Sequence, residues 1–422
     1  MREKINYLLK KINNLCNKRV MVIGDVFLDE YDFGEVKTVS TGIKVPIVEA
    51  KISRNSLGGA GNVAANISAL TSNASFLTQY ANDESGKKIE QLLIQYNIST
   101  RCFPANKSIV KKRIYIDHQQ VMRLDQNEYT YINHKMIRDE IRKSKCDVIV
   151  VADYSFGMVD QFVLDCCKEK SLCDHIPLIF SSRKVEEFDT SDISLIVVNE
   201  KDDSNSIKYN FNLQNDTNTD IIITRGPLGI KALMNHKIYD VSTIKDLPVN
   251  VSGAGDTVLA IVSLLYQSGI DVETYLCLAN IAAGIAIRNE LTYRLRQEDL
   301  ISRLFELECM HAKYHKCVDL DSANIIVNTW KKQGKNIVLV DKCLNPLDSE
   351  WLMTLEKNKK NNDKIILTIR ANESENRLLI NKLSNQTILL SFMGLFDLIV
   401  ILGSEGANDV VEVVKPDIHI QS

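Results

Sequence analysis

The chain has 422 residues, of which 45% are hydrophobic and 25% charged, with a formal net charge of -3. This charge gives no broad attraction to nucleic acid or to anionic membranes. The N-terminal stretch is interrupted by charges, and no run of about 18 apolar residues occurs. The sequence therefore predicts an N-terminal amphipathic helix and a cytoplasmic protein, whose ten scattered cysteines are reduced.

Short apolar runs alternate with charged segments of helical period over the first two thirds of the chain. Buried strands are predicted at residues 19–24, 146–154, 177–182, 193–200 and 219–226. Such alternation predicts an α/β fold, a doubly wound parallel sheet with helices on both faces.

Two segments, 43–56 and 108–125, instead alternate apolar and polar residues as half-exposed strands do. These strands could form a small β sheet that covers a site as a lid. An ordinary edge hairpin fits the pattern as well.

The apolar rhythm lapses after about residue 305 and then restarts with buried-strand candidates at 336–342, 363–372 and 396–403. We expect a first domain over 1–305, a linker over 306–319 and a smaller Rossmann-like α/β domain over 320–422. The linker region carries Cys309, His311, His315 and Cys317. Their spacing matches no known zinc module, which favours a plain connector. A metal site is the alternative.

The stretch "VSGAGDTVLA" (251–260) places Gly253, Ala254 and Gly255 before Asp256 and a helix-compatible run. Small residues let backbone amides approach an anion, and a helix N-terminus adds partial positive charge. The stretch is thus a candidate phosphate cradle with a carboxylate beside it, or a tight loop capped by Asp256.

A second glycine cluster, "SLGGAGNVAANISAL" (56–70), opens another predicted helix. Gly58 and Gly59 could admit a ligand against the backbone, while Asn62 and Asn66 offer donors and acceptors to hydroxyl groups. The alternative is a helix start with two satisfied asparagines.

Acidic and glycine-rich motifs follow two other predicted strands. Asp25 and Asp29 come just after the first strand, where carboxylates can accept hydrogen bonds from a sugar's vicinal hydroxyls. "TRGPLG" sets Thr224, Gly226 and Gly229 in a tight turn after a later strand. The motif order predicts a polyol near the N-terminal strands and nucleotide phosphates near the C-terminal ones.

In this arrangement Asp256 could take a proton from a hydroxyl as its oxygen attacks the γ-phosphate of ATP. The amides of Gly253, Ala254 and Gly255 would stabilise the charge on the transferring group. Mg²⁺ would bridge the ATP phosphates.

The two glycine motifs resemble the two signatures of the ribokinase/PfkB sugar kinases. "GDVFLDEY", "HQQVMRLD", "ADYSFG" and "LANIAAG" extend the resemblance over residues 18 to about 300, and it is strongest to the bifunctional D-glycero-β-D-manno-heptose-7-phosphate kinase/ADP-heptose synthases. The resemblance implies a ribokinase-like fold, Asp256 as catalytic base and an anion hole at 253–255. It further implies three sets of ligand contacts. Asp29, Gly58, Gly59 and Asn62 would contact the sugar, and Lys111 or Arg113 its distal phosphate. The ATP side would be formed by Asn199, Thr224, Gly226, Gly229 and Asn280.

Several positions depart from that family. Where the bifunctional enzymes have an Arg-Ile-Ser-Pro-Glu-Ala-Pro loop, this chain has "TVSTGIK" (38–44), and "FSS" (180–182) replaces an Asp-Pro-Lys. Asp202 stands for a glutamate, and "LT" at 291–292 for Gly-Thr. These departures leave the residues of the implied base and anion hole unchanged. They could alter which sugar binds and how Mg²⁺ is held.

The C-terminal part resembles the nucleotidyltransferase half of the bifunctional enzymes in outline only. Its Gly-x-Phe-Asp and His-x-Gly-His phosphate-binding elements are replaced by "DKCLNPLDSEW" (341–351), and the sequence stops soon after "KPDIHIQS". We expect that this half has lost adenylyl transfer and serves packing or assembly.

Three functions remain. The first is an ATP-dependent kinase that converts heptose 7-phosphate to the 1,7-bisphosphate. The resemblance implies that it is a homo-oligomer, a dimer formed by paired lid sheets. The second is a kinase for another sugar phosphate, favoured by the altered 38–44 loop. The third is a pseudoenzyme that binds a ligand and serves as a scaffold subunit, against which Asp256 argues.

Overall fold

The computed structural model describes residues 18–40, 45–117, 119–201, 219–243, 248–311, 317–318, 320–341, 349–370, 395–402 and 407–421. One compact unit is Leu15–Arg296, and a second includes Gln297–Ser422. The expected N-terminal helix lies outside the described residues, as do Asp202, His315 and the side chains of Cys309, His311 and Cys317. Within the described ranges, no helix is long and apolar enough to cross a membrane.

The strands of the first unit are β1 (Val20–Gly24), β2 (Val26–Val39), β3 (Pro46–Gly59), β4 (Ala74–Tyr80), β5 (Ser99–Pro104), β6 (Val110–Ile116), β7 (Gln119–Gln126), β8 (Val148–Asp153), β9 (Leu178–Ser182), β10 (Leu195–Asn199), β11 (Asp220–Thr224), β12 (Ile230–Met234) and β13 (Lys237–Val241). Its helices are α1 (Ala60–Thr71), α2 (Glu84–Gln95), α3 (His134–Lys143), α4 (Gln161–Asp174), α5 (Ala254–Leu265) and α6 (Val272–Ala286).

Nine of these strands form the main sheet, in the order β13-β12-β11-β10-β9-β8-β1-β4-β5. All five predicted strands are present, and neighbours from β5 to β11 are parallel. β1 is buried at every position, as expected for a central parallel strand covered on both faces.

The predicted doubly wound sheet is confirmed, and it is parallel except at one edge. β12 pairs antiparallel with both β11 and β13, so the sheet is mixed. Asn235 and His236 link β12 to β13 with φ angles of 49° and 61°. Two successive residues in the left-handed conformation form the tight two-residue turn of a β hairpin, so β13 runs back antiparallel to β12.

A separate four-stranded sheet has the order β3-β2-β6-β7. Both half-exposed segments of the sequence contribute to it, which confirms the lid sheet rather than an isolated edge hairpin. β2 begins directly after β1, and β3 runs into α1. The lid and the main sheet therefore meet where Asp25, Gly59 and the start of α1 lie.

The second unit contains strands β14 (Cys317–Val318), β15 (Asn336–Asp341), β16 (Asp363–Arg370), β17 (Leu398–Leu402) and β18 (Ile418–Gln421) and helices α7 (Gln297–His311), α8 (Leu320–Lys332), α9 (Ser349–Asn358) and α10 (Ala407–Val414). Its sheet has the order β14-β17-β16-β15-β18 and is parallel throughout the described pairs. The three strands predicted for this half are confirmed. Val340, Leu367, Phe396 and Ile399 pack in its core.

Candidate active site

Helix α5 begins with a turn that only a small residue can form. Gly253 precedes the helix at φ 82°, and a Cβ there would lie 2.8 Å from Asn62 Nδ2 and 2.9 Å from Thr292 Cγ2. The first helical hydrogen bond runs from the Thr257 amide to the Gly253 carbonyl, at 3.0 Å. The amides of Gly255 and Asp256 come before Thr257 in this first turn. A Cβ on Gly255 would meet open space. This helix end can therefore receive an anion.

The Asp256 side chain does not cap its helix, because α5 has no side-chain cap. Its Oδ2 accepts a hydrogen bond from Asn62 Nδ2 at 2.8 Å, and its Oδ1 accepts one from the Tyr154 hydroxyl. Burial raises the pKa of Asp256, and the two hydrogen bonds act against that rise. The alternative of a loop capped by Asp256 is thus wrong, and the carboxylate faces the interior of the first unit.

The two asparagines of α1 have different tasks. Asn66 donates to the carbonyl oxygen of Asn62 at 2.8 Å and to its Oδ1 at 3.1 Å, and accepts the Leu295 amide at 2.7 Å. Asn66 is therefore satisfied within the fold. Its contacts orient the Asn62 amide so that the nitrogen of Asn62 points at Asp256.

Asp29 is held in a buried ion pair within the lid sheet, because Asp29 lies on β2 and Arg113 on β6. It is 3% exposed, and its Oδ1 accepts a hydrogen bond from Arg113 Nη1. Thr292 donates to its Oδ2 at 3.3 Å. Burial raises the pKa of Asp29, against which Arg113 and then Lys111 act.

Lys111 is a buried cation that lies on aromatic rings. It is 5% exposed, and its Nζ lies 3.5 Å from the centroid of Phe27 and 5.4 Å from that of Phe156. Burial, and then the charge of Arg183, lower the pKa of Lys111 to about 8. An ammonium in these surroundings gains from a bound anion.

Gly58 and Gly59 leave room where the lid joins α1. A Cβ on Gly58 would lie 2.0 Å from Phe27 Cε2 and 2.7 Å from Asp29 Oδ2. Gly59 precedes α1 at φ 62°. Both positions need glycine because the aromatic ring and the backbone approach so closely.

Asp25 has a structural role, so its assignment to sugar hydroxyls is corrected. Its Oδ2 accepts the amides of Tyr154 at 3.0 Å and Phe156 at 3.3 Å, and its Oδ1 accepts that of Met158 at 3.0 Å. Burial raises the pKa of Asp25 to about 6. The carboxylate anchors the loop over 154–158.

The nucleotide-side candidates lie at the carboxyl ends of neighbouring strands. Asn199 and Thr224 are register partners that end β10 and β11. Asn199 is exposed, and its Oδ1 accepts the Lys201 amide at 2.9 Å. Gly226, at φ 54°, lies in the turn that follows, and a Cβ there would meet open space.

Gly229 and Asn280 meet at the end of β13. Asn280 is buried and donates to the Val241 carbonyl at 2.9 Å, while a Cβ on Gly229 would lie 2.2 Å from the same oxygen. The side-chain nitrogen of Asn280 thus holds the carboxyl end of β13 in place.

Comparison with known proteins shows what this region resembles. The model of the pfkB family of carbohydrate kinases matches residues 189–298, a segment that contains β10, β11 and α5. Over these residues the chain is similar to the pfkB carbohydrate kinases.

Curated relatives match this chain over both units. It is 25% identical to the bifunctional protein HldE of Desulfatibacillum aliphaticivorans, over 95% of this chain and 87% of that protein. It is 27% identical to the bifunctional protein HldE of Helicobacter hepaticus, over 96% of this chain and 89% of that one.

Solved structures share the fold of the first unit. The TM-score is 0.56 with phosphofructokinase-2 of Escherichia coli in complex with potassium, at 14% identity, over 69% of this chain and 99% of that one. It is 0.53 with the Arabidopsis thaliana ribokinase complexed with ribose and ATP, at 15% identity, over 68% and 98%. Identities this low show the ribokinase-like fold alone.

The sequence assigns no role to three residues of this candidate site. Tyr154 lies 102 positions from Asp256, and Thr292 lies 261 positions from Tyr31, whose hydroxyl is 2.7 Å from Thr292 Oγ1. Arg183 follows the "FSS" departure, and its Cζ lies 5.5 Å from the Tyr154 ring centroid. Only the fold brings these side chains to the site.

Arg123 does not belong to this set. Its Nε donates to Asp125 Oδ1 at 2.7 Å. This ion pair is local, because both residues lie on β7.

Proposed function

We propose that this chain is a pfkB-type kinase that phosphorylates the anomeric hydroxyl of D-glycero-β-D-manno-heptose 7-phosphate with ATP and forms the 1,7-bisphosphate. The observation that carries the proposal is the Asp256 carboxylate at the amino end of α5, beside the first-turn amides. The match to the pfkB carbohydrate kinase model supports sugar phosphorylation, and the HldE relatives suggest the heptose phosphate.

In the proposed reaction the sugar hydroxyl gives its proton to Asp256 as its oxygen attacks the γ-phosphorus of ATP. The bond from that phosphorus to the ADP oxygen breaks, and ADP leaves. The backbone at Gly253, Ala254 and Gly255 would stabilise the charge on the transferring group. Asp29, Gly58, Gly59 and Asn62 would form the sugar side.

The nucleotide would lie along the Asn199, Thr224, Gly226, Gly229 and Asn280 side, at the carboxyl ends of the strands. Mg²⁺ would enter with ATP, because it binds phosphates with only one or two protein carboxylates. Within the described ranges, no group of three or more His, Cys, Asp or Glu could hold a metal ion.

The test is ATP turnover with Mg²⁺ against a panel of sugar phosphates and their unphosphorylated sugars, with products followed by phosphorus NMR. We expect a 1,7-bisphosphate from the heptose 7-phosphate. The altered 38–44 loop favours a second candidate, a kinase for another sugar phosphate, which a different product would support. Ligand binding without any transfer would contradict both kinases and favour a scaffold subunit.

We propose that Lys111 contacts the distal phosphate of the sugar, while Arg113 remains paired with Asp29. Lys111→Met should raise KM for the sugar phosphate about 10- to 100-fold, because one charge-assisted contact is worth about 1.5–3 kcal/mol. Lys112→Met is the matched control, since Lys112 pairs with Asp32 at 2.6 Å. Equal KM values in both variants would contradict this role.

The same lysine predicts a pH dependence. A group with a lowered pKa loses its proton, and here its charge, earlier as the pH rises. In the wild type, kcat/KM for the sugar phosphate should therefore fall above about pH 8. Lys111→Met should lack this limb, and an unchanged profile in that variant would argue against the assignment.

We also propose a dimer formed through the lid sheet. Large apolar side chains are about half exposed on that sheet, at Val39, Ile47, Ile52, Val121 and Leu124. Light scattering on the purified chain checks the mass, and a monomer at micromolar concentration would contradict the dimer.

We propose that kinase function belongs to residues 1–305, with a linker over 306–319, and that residues 320–422 are a degenerate nucleotidyltransferase-like domain without adenylyl transfer. The support is the sequence at 341–351, most of which lies outside the described residues. Release of pyrophosphate from ATP and heptose 1-phosphate would contradict the loss.

A further inference from the structure

Tyr154 lies between the proposed base and the cations of the site. Its hydroxyl donates to Asp256 Oδ1, and its ring packs edge-on against Phe27 with centroids 5.8 Å apart. The Cζ atom of Arg183 lies over the Tyr154 ring, 5.5 Å from the ring centroid. The proposed sugar and nucleotide contacts assign no role to this tyrosine.

The backbone beneath Tyr154 is fixed by buried carboxylates. Asp25 accepts the Tyr154, Phe156 and Met158 amides, as described above, and Asp153 accepts the Ser155 amide at 2.7 Å. Asp153 in turn accepts a hydrogen bond from Ser182 at 2.6 Å. A side chain on a loop held at so many points has little freedom to move its hydroxyl.

Asp256 is consequently held from two sides. Asn62 on α1 donates to one oxygen and Tyr154, on the loop after β8, donates to the other. A carboxylate oxygen has two lone-pair directions, so each can still accept a second hydrogen bond. The two donors fix the plane of the carboxylate and leave the remaining directions to a substrate hydroxyl.

We propose that Tyr154 is a positioning residue for phosphoryl transfer, which orients the Asp256 carboxylate toward the sugar hydroxyl and keeps it ionised. This proposal rests on the proposed function of Asp256. Tyr154 acts through Asp256 and transfers no proton itself, because the phenol remains protonated while it donates.

The charged groups around the pair set the direction of the pH effect. Asp256 is faced by Asp29 from β2 and Lys111 from β6, and Tyr154 by Asp25 and Arg183. None of these is altered by Tyr154→Phe, which removes only the hydroxyl. Because the lost hydrogen bond favours the charged carboxylate, its removal raises the pKa of Asp256.

The experiment compares the wild type with Tyr154→Phe and a matched control, Tyr266→Phe. Tyr266 also donates to a carboxylate, Asp220 Oδ2 at 2.9 Å, on the strand β11. Tyr154→Phe should lower kcat about 10- to 100-fold, the size expected for a misplaced catalytic group, and KM for ATP should change little. The acid limb of its kcat profile should move to higher pH, whereas Tyr266→Phe should keep the wild-type profile.

A wild-type kcat and acid limb in Tyr154→Phe would overturn the proposal. Equal losses in both phenylalanine variants, with an unmoved acid limb, would also overturn it, since they indicate general destabilisation. If the wild type phosphorylates no sugar, the proposed function fails separately. The Asp256 carboxyl can then be titrated by carbon-13 NMR, assigned with Asp256→Asn, and an unchanged pKa in Tyr154→Phe would still overturn the effect of Tyr154 on that carboxylate.

Discussion

Asp256→Asn is expected to lower kcat for sugar phosphorylation by about 10²- to 10⁴-fold, the contribution that a general base makes. The amide has nearly the shape of the carboxylate but cannot take the hydroxyl proton. The first-turn amides of α5 remain, so ATP affinity should stay close to that of the wild type. Rapid-quench turnover and equilibrium nucleotide binding measure the two effects separately.

Thermal stability separates this effect from misfolding. Burial raises the pKa of Asp256, so the charge is destabilising and its removal should not lower the melting temperature. Asp160→Asn is the control, because Asp160 caps α4 and asparagine caps a helix as well as aspartate does. Wild-type turnover in Asp256→Asn would exclude Asp256 as the base.

The strands could be predicted from the sequence because each is a short apolar run. A parallel strand that is covered on both faces needs apolar side chains at successive positions. The sequence also predicted the α5 turn because only small residues fit there. Tyr154 and Thr292 lie in the quoted motifs "ADYSFG" and "LT", but their contacts could not be predicted, since their partners are far away in the chain and neither belongs to a periodic pattern. Asp25 was assigned to the wrong task because the sequence does not show that backbone amides occupy its oxygens.

The site also depends on the ion pair between Asp29 and Arg113. Arg113→Met should destabilise the first unit by about 3 to 5 kcal/mol, the range for breaking a buried pair. Methionine keeps much of the aliphatic volume, but Asp29 loses its guanidinium and remains buried with Thr292 as a donor. The loss should exceed that of an exposed pair such as Arg142 and Glu169, which contributes about 0–1 kcal/mol.

Urea unfolding measures this loss, and the chain supplies its own reference. Both tryptophans, Trp330 and Trp351, belong to the second unit, so their fluorescence follows that unit. A far-UV transition that shifts to lower urea while the tryptophan transition stays in place would locate the loss in the first unit. Arg142→Met is the matched control for an exposed arginine.

The sign of the pH dependence decides whether unpaired charge causes the loss. Burial raises the pKa of Asp29, and without Arg113 that pKa should rise further. A raised carboxyl pKa destabilises the fold above the pKa and ceases to do so once the group is protonated, so the deficit of Arg113→Met should shrink as the pH falls. Adding Asp29→Asn should recover part of the stability, because no buried charge remains unpaired. A double variant as unstable as the single one, with a deficit independent of pH, would show that Arg113 stabilises the lid by packing instead.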